Sequence, residues 1–276
     1  MKKIAIQGGK ASFHDIAAHQ FFNEPIEIIE CSTFEIVCEK LASGEADYSM
    51  MAIENSIAAS ILLNYQLIKD FNFHIVGEHQ LRIVQNLIAL PNTKIADITK
   101  VRSHYMALRQ CNVFLLNNPQ IEVEEYYDTA DSAKLVAENQ LKGEAGIASY
   151  KAAEIYGLEI ISESIETIKE NYTRFLVLSK DTHTTLNTVK NKATLSFELP
   201  DEVGSLALAL EIVVKHKINL TKIQSIPIIG KPDQYTFYLE CTWDENAHIV
   251  RCLVELRHII PHFIILGEYK KFDVQK

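Results

Sequence analysis

The chain has 276 residues, of which 47% are hydrophobic and 23% charged, with ten glycines and seven prolines, a composition that excludes disordered, collagen-like and low-complexity chains. Its formal charge of -9, with no cluster of five or six Lys and Arg, excludes a broad surface for nucleic acid or anionic lipid. No apolar run reaches the roughly 18 residues of a bilayer helix, and the segment from Met1 to Gly9 turns polar too early for the apolar core of a signal peptide. A cytoplasmic protein with no membrane and no nucleic-acid partner is expected. The five cysteines, at 31, 38, 111, 241 and 252, are odd in number and form no Cys-x-x-Cys. Reduced, buried thiols are expected rather than a disulfide framework or a thiolate metal site.

In chain order, short strand-like runs alternate with helical ones. Strand 3–6 precedes a helix over 15–22, strand 26–29 a helix over 34–41 that Gly44 closes, and strand 48–53 a helix over 60–69. The stretch 73–90 is extended with no helix in it, which suggests a crossover between two lobes. Beyond it come a strand ending near Ser103, a helix through Leu116, a strand over 121–126, a helix over 131–138 and the short run 145–148. Such alternation predicts parallel sheets covered by helices. Two lobes imply a cleft, and α/β sheets bind ligands at the carboxyl ends of their strands.

A final strand starts at Asn171-Tyr172-Thr173-Arg174-Phe175, and 180–192, with only two aliphatic side chains, reads as a linker. After it the order becomes strand 193–199, helix 204–216, strand 218–228, strand 234–242, helix 245–259 and strand 262–269. Leu206, Leu210 and Val213 share one helical face, and so do Ile249, Leu253 and Leu256. Tyr235, Phe237, Leu239 and Cys241 alternate with Thr236, Tyr238 and Glu240, and Gly230-Lys231-Pro232-Asp233 reads as the turn between the middle strands. This is the βαββαβ order of a ferredoxin-like sandwich.

Four strand-to-helix junctions carry polar side chains: Gly8 to Phe13 with Ser12, Glu54-Asn55-Ser56, Ser103-His104, and Thr129 to Ser132. Each alone reads as a helix cap. Together, helix N-termini facing one cleft would offer N–H donors and partial positive charge to small carboxylates. Arg174 adds a fork of donors suited to a carboxylate, and Thr173 a hydroxyl beside it. Other chemistries fit poorly. There is no His-Glu-x-x-His, and His258 and His262 are separated by a proline, so no metal is expected. Gly-x-Ser-x-Gly and the phosphate loop are absent, and Gly8-Gly9-Lys10 is not the full dinucleotide fingerprint.

The ordered set of motifs resembles the prephenate dehydratase family over essentially the whole chain. Ser49-Met50-Met51-Ala52-Ile53-Glu54-Asn55-Ser56, preceded by Gly44 to Tyr48, is similar to the family's Pro-Ile-Glu-Asn-Ser segment. Ser103-His104 with Ala107 to Cys111, Tyr127 to Ala133, Ala148-Ser149 with Ala152 to Leu158, and Asn171 to Phe175 follow in the family's order. The last part resembles the ACT regulatory module, in Gly204-Ser205-Leu206, Ile218-Asn219-Leu220-Thr221 and Gln224-Ser225-Ile226-Pro227. The sequence departs from the family pattern at Ala11 for Gly, Tyr105-Met106 for Pro-Gln, Val203 for Pro, and Gln224 and Ile226 for Glu and Arg.

The resemblance implies an α/β fold: a two-lobed, periplasmic-binding-protein-like catalytic domain over 1–180 and a ferredoxin-like βαββαβ ACT domain over 193–276. It implies a lyase of phenylalanine biosynthesis that decarboxylates and dehydrates prephenate to phenylpyruvate without a cofactor. Self-association to a dimer or tetramer is implied as well, and so is L-phenylalanine as effector. With the first strand at Lys3, no chorismate mutase domain is expected. Thr173 is implied as the catalytic hydroxyl. Asn55 and Gln110 would orient the substrate, and Glu54, Ser56, Ser12, Asn171 and Phe175 would complete its site. Arg174, with helix N–H groups near Ser12 and Ser56, would address the side-chain carboxylate or shape the pocket electrostatically. Effector contacts would come from Gly204, Ser205, Leu206, Asn219, Leu220 and Ser225, with Gly204 permitting close approach at an interface between two ACT modules. Arogenate as substrate, and a non-catalytic amino-acid sensor, are the alternatives that the residues leave open.

Overall fold

The computed structural model describes residues 1–276 except 183, 185, 200, 201, 229, 232, 233, 261 and 274–276. Parts of the expected linker 180–192 and turn 230–233, the proline between His258 and His262, and the end of the expected 193–276 domain therefore lie outside the described residues. In chain order the elements are β1 (Lys2–Gln7), α1 (Phe13–Phe22), β2 (Ile26–Cys31), α2 (Phe34–Ser43), β3 (Tyr48–Asn55), β4 (Ala59–Ser60), α3 (Leu62–Asp70) and β5 (His74–Arg82). Next come β6 (Asn86–Ala89), β7 (Lys100–Ser103), α4 (Tyr105–Gln110), α5 (Asn112–Leu116), β8 (Glu122–Glu125), α6 (Thr129–Glu138), β9 (Glu144–Ala148), α7 (Tyr150–Tyr156), β10 (Glu159–Ser162) and β11 (Tyr172–Ser179). The chain ends with β12 (Lys192–Glu198), α8 (Ser205–Lys215), β13 (Asn219–Pro227), β14 (Tyr235–Thr242), α9 (Asn246–Ile259) and β15 (His262–Tyr269). Among the described residues, no helix is long and apolar enough to cross a membrane, and all five cysteines are free and buried.

Two compact units form: Met1–Ser60 with His79–Phe175, and Ile61–Glu78 with Leu176–Lys276. Two sheets run through the first unit. In one, of order β2-β1-β3-β11-β5 with β4 on β3, β1 runs parallel to β2 and to β3. Ile4, Ala5 and Ile6 are buried on both faces of β1, as a strand covered by helices on both sides requires. The other sheet has the order β10-β6-β9-β7-β8. It is mixed, where parallel sheets were expected: β7 is parallel to β8 and β9, but β6 is antiparallel to β9 and β10. β6 enters this sheet directly from the β5 crossover, so no helical return imposes a parallel direction on it. The single helix expected through Leu116 is two short ones, α4 and α5, meeting at buried Cys111.

In the first unit His79 is buried and His14 half-buried. His14 on α1 packs between the rings of Phe34 and Phe175, at 5.7 and 5.0 Å. His79 contacts Gln20 Oε1 at 3.0 Å through Nε2. Burial lowers both imidazoles to about 4.

In the second unit, strands in the order β13-β14-β12-β15 make a fully antiparallel sheet. Ala209, Ile212 and Val213 of α8 and Ile249, Leu253 and Leu256 of α9 pack on Leu195, Phe197, Leu239 and Cys241. The expected α9 face is the buried one. On α8 the buried face is turned by about one residue, since Leu206 and Leu210 are only half-buried while Ala209 and Ile212 are buried. The polar positions of the strands are buried too: Thr194, Ser196, Thr236, Tyr238 and Glu240. The segment Ile61–Glu78 covers them, with the Tyr65 ring tilted against that of Tyr238 at 5.2 Å and its hydroxyl donating to Glu240 Oε1 at 2.7 Å. The Lys192 ammonium lies 2.7 Å from Glu78 and 3.1 Å from Glu240, all three side chains being at most 6% exposed. At Gly267 a Cβ would stand 2.2 Å from the Ile75 carbonyl oxygen, so only glycine admits this approach.

Replacing Lys192 by Met leaves two carboxylates buried without their cation, which costs about 3–5 kcal/mol; urea unfolding checks it, and an unchanged midpoint would contradict the ion triad. Between about pH 6.5 and 4 the unfolded chain takes up protons at His14 and His79 that the folded chain refuses. Stability therefore falls with pH through this window, by on the order of 3 kcal/mol per histidine at most. Urea midpoints between pH 7 and 4 measure the slope, which His14→Gln and His79→Gln should each flatten.

Candidate active site

The site is built around the Asn55 amide at the end of β3. Its Oδ1 accepts from the backbone N–H groups of Ile57 and Ala58, both at 2.9 Å, which closes the turn into β4. Its Nδ2 is thereby forced the other way, where it donates to Asn171 Oδ1 at 2.8 Å and to Thr173 Oγ1 at 3.0 Å. Both lone-pair sites and both protons of the amide are used. A flipped amide would set its NH2 against two N–H donors, so the orientation is fixed. Because Thr173 Oγ1 accepts this bond, its own proton remains to be given, and no described residue receives it. Asn171 is fully buried, and its Nδ2 has no hydrogen-bond partner. Its backbone carbonyl is held by the Ile83 N–H at 2.7 Å.

Successive residues of a strand point to opposite faces, and this sorts the Asn-Tyr-Thr-Arg-Phe motif. Thr173 and Phe175 share a face, and the His14 ring, 5.0 Å from Phe175, shows that α1 covers it. Arg174 turns to the other face, only 8% exposed, and pairs through Nε with Glu54 Oε1 at 2.6 Å. Strand alternation thus sets Arg174 and its partner Glu54 on the face opposite the Thr173 hydroxyl. The guanidinium is committed in part to Glu54.

The helix-cap expectations need similar sorting. Ser12 does cap α1, accepting from Asp15 N–H at 3.3 Å. Yet Asp15 Oδ2 already takes the Ala11 N–H at 2.7 Å, so this N-terminus carries its own carboxylate and is no vacant anion receptacle. Ser56 belongs to no helix start: α3 begins at Leu62 without a side-chain cap. Instead Ser56 Oγ donates to the Glu170 carbonyl at 3.1 Å and accepts from the Tyr172 N–H at 2.9 Å, clamping the segment that carries Thr173. His104 rather than Ser103 caps α4, while Ser103 Oγ donates to the Ile147 carbonyl. Asp128 rather than Thr129 caps α6.

The two sheets of the first unit approach each other at their carboxyl edges. Ser149, the cap of α7, donates to the Ala11 carbonyl at 2.8 Å. A Cβ on Gly8 would lie 3.3 Å from Asp128 Oδ2, and one on Gly9 3.3 Å from Glu30 Oε2 and 3.6 Å from Asp131 Oδ1. Burial, reinforced by Asp131, pushes the Asp128 carboxyl above its usual range. Ala11, where the family pattern has Gly, is held at φ 69 in the left-handed region, a conformation a side chain tolerates only at a cost.

Gln110, the last residue of α4, is not bonded to Asn55 or Thr173. Its Oε1 accepts from Gln85 Nε2 at 3.3 Å. Gln85 was not foreseen, since the strand-like pattern around it marks no functional position. In the second unit, Gly204 is the N-cap residue of α8 at φ 92, and a Cβ there would meet nothing within 4 Å. The left-handed backbone conformation by itself favours glycine there. Ser205 and Leu206 follow on the first turn of α8, while Asn219, Leu220 and Ser225 lie on edge strand β13. No hydrogen bond joins the two groups among the described residues.

A family model described as prephenate dehydratase matches residues 4–183. The chain is 33% identical over 276 residues to the bifunctional chorismate mutase/prephenate dehydratase of Aquifex aeolicus (strain VF5), a match spanning 99% of this chain and 75% of that protein. Among solved structures, the prephenate dehydratase of Arthrobacter aurescens in complex with L-Phe superposes with a TM-score of 0.87 at 26% identity, covering 99% of this chain and 91% of that one. GqqA, described as a novel type of quorum-quenching acylase, superposes with a TM-score of 0.88 at 27% identity, covering 98% of each chain. With the Asn55–Thr173 motif standing inside the segment matched by the family model, the chain belongs to the prephenate dehydratase family.

Proposed function

We propose that this chain is a carbon–oxygen lyase that converts prephenate to phenylpyruvate in phenylalanine biosynthesis. The observation that carries the reading is the saturated Asn55 amide, which leaves the Thr173 hydroxyl as a directed donor. Prephenate holds its own electron sink. As the ring carboxylate leaves as CO2, its bonding pair enters the ring, the C–O bond at the opposite carbon breaks, and the hydroxyl departs, taking up a proton to become water. The product ring is aromatic, so no cofactor is needed. Thr173 hydrogen-bonds the leaving oxygen, and the Asn55 N–H on Oγ1 polarises that hydroxyl and makes it a better donor. An alcohol is too weak an acid to surrender the proton outright.

The carboxylate that departs must not be over-stabilised, because holding the ground-state anion opposes its loss. Placing Arg174 on the far face, against Glu54, agrees with that requirement. Neutral donors suit the dianion instead: the Asn171 NH2, which has no protein partner, and the Gln110 amide. Ser12 and Phe175 shape the pocket on the Thr173 face, and Ser56 holds the strand that presents the hydroxyl.

In this reading residues 1–180 form a two-lobed, periplasmic-binding-protein-like catalytic domain and 193–276 an ACT regulatory domain, in a cytoplasmic homo-oligomer. L-Phenylalanine is the effector, bound between two ACT modules at Gly204, Ser205, Leu206, Asn219, Leu220 and Ser225. The βαββαβ order and the L-Phe carried by the Arthrobacter relative support this part.

Purified protein given prephenate should form phenylpyruvate, and a parallel assay with arogenate separates the two substrates. Thr173→Ala should lower kcat by roughly 10²–10³, as loss of one transition-state donor does, while Thr173→Ser keeps most of the activity. Normal turnover by a folded Thr173→Ala protein would overturn the assignment. Titration with L-phenylalanine should lower activity and raise the melting temperature; if neither moves, the effector assignment is wrong.

A further inference from the structure

Gln85 lies on the short link between β5 and β6 and is 2% exposed. Its backbone is pinned at both ends. The N–H donates to Glu166 Oε2 at 3.0 Å, a carboxylate itself fully buried and also bonded by Ser164 Oγ at 2.7 Å, and the carbonyl accepts from the Ile165 N–H at 2.7 Å. The side chain is therefore delivered to a fixed place. There its Nε2 donates to Gln110 Oε1 at 3.3 Å, and its Oε1 is buried with no hydrogen-bond partner. The main chain of Gln110 is fixed in turn by the Thr167 N–H, which donates to its carbonyl at 2.8 Å.

The consequence concerns the other end of the Gln110 amide. With its carbonyl taken by Gln85, Gln110 has only its NH2 left to offer, and no described residue receives those protons. A primary amide is nearly symmetric in shape, so nothing in packing alone decides whether oxygen or nitrogen faces a ligand. For a doubly negative substrate the choice matters: two N–H donors attract a carboxylate, and a carbonyl oxygen repels it. With Gln85 presenting its NH2 to the Gln110 oxygen, as it does in this structure, the first arrangement results. An apolar side chain of the same size would fill the space without stranding a buried acceptor, a feature that packing by itself does not call for.

We propose that Gln85 is a positioning residue for the dehydratase reaction, which acts through Gln110 by holding its amide with the N–H groups turned to a substrate carboxylate. The proposal rests on the reading of Gln110 as a substrate-orienting group. Gln85 touches no substrate in this scheme, and its effect is confined to binding, not to departure of the hydroxyl.

The test is a double-mutant cycle with prephenate on the full chain, with melting temperature followed in each variant. Gln110→Met removes the donor to the substrate and should raise KM by about tenfold or more, the worth of a hydrogen bond to a charged group. Gln85→Met frees the Gln110 amide to turn and should raise KM by about three- to tenfold with kcat within about twofold, since a randomised amide loses part of that bond. Added to Gln110→Met, it should change KM no further. An unchanged KM in folded Gln85→Met, or an effect that adds in full to that of Gln110→Met, overturns the proposal. If Gln85→Met does not fold, Gln85→Glu replaces it: a carboxylate can only accept, so it draws the Gln110 NH2 inward and should also raise KM, and an unchanged KM is again decisive against the inference. If Gln110→Met itself leaves KM untouched, the substrate-orienting reading of Gln110 fails first, which the cycle distinguishes from failure of Gln85 alone.

Discussion

One side-chain amide organises the candidate active site. Asn55 spends its oxygen on two backbone N–H groups of its own turn and its nitrogen on Asn171 and Thr173, residues 116 and 118 positions away. The bonds are individually modest, but they are mutually dependent. The turn dictates which way the amide faces, the amide dictates that Thr173 Oγ1 accepts, and acceptance dictates that the hydroxyl proton is available. The Ser56 clamp on Glu170 and Tyr172 holds the same two segments in register. Neutral groups make the whole device, so it works without moving a charge into the site.

Charge is instead managed around it. Arg174 is drawn to the far face by Glu54, the start of α1 carries the buried carboxylate of Asp15, and the edges of the two sheets meet among Asp128, Asp131 and Glu30. A pocket lined with fixed cations would bind a dianion tightly, but it would hold the carboxylate that has to leave. In the proposed function the amide donors of Asn171 and Gln110 take that place, since neutral donors favour no ground-state charge so strongly. The layout of ion pairs and the chemistry of decarboxylation are therefore consistent with each other.

The second unit shows how polar residues on a strand can be core residues. Thr194, Ser196, Tyr238 and Glu240 alternate with the apolar positions that meet α8 and α9, as they would on a sheet with one wet face. That face is dry because α3 and the first half of β5 lie on it, and its polar groups are matched by Tyr65, Lys192 and Glu78. Glu240 in particular is tolerable in the interior only because a hydroxyl and an ammonium reach it.

Hydropathy period was enough for most elements. Strand runs 3–6, 48–53 and 145–148, the helices of the βαββαβ part and the extended crossover were all legible, because a side chain's local period reports which face it buries. Motif order carried the family and pointed to Asn55 and Thr173, which the structure joins by a hydrogen bond. What the sequence could not contain was direction and partnership. The antiparallel β6, the turn of Arg174 away from Thr173, the carboxylate that occupies the start of α1, the Gln85–Gln110 contact and the burial of β14's polar face all arise between residues far apart in the chain. Periodicity along a segment fixes its two faces, but which other segment lies against each face is decided only when the chain closes on itself.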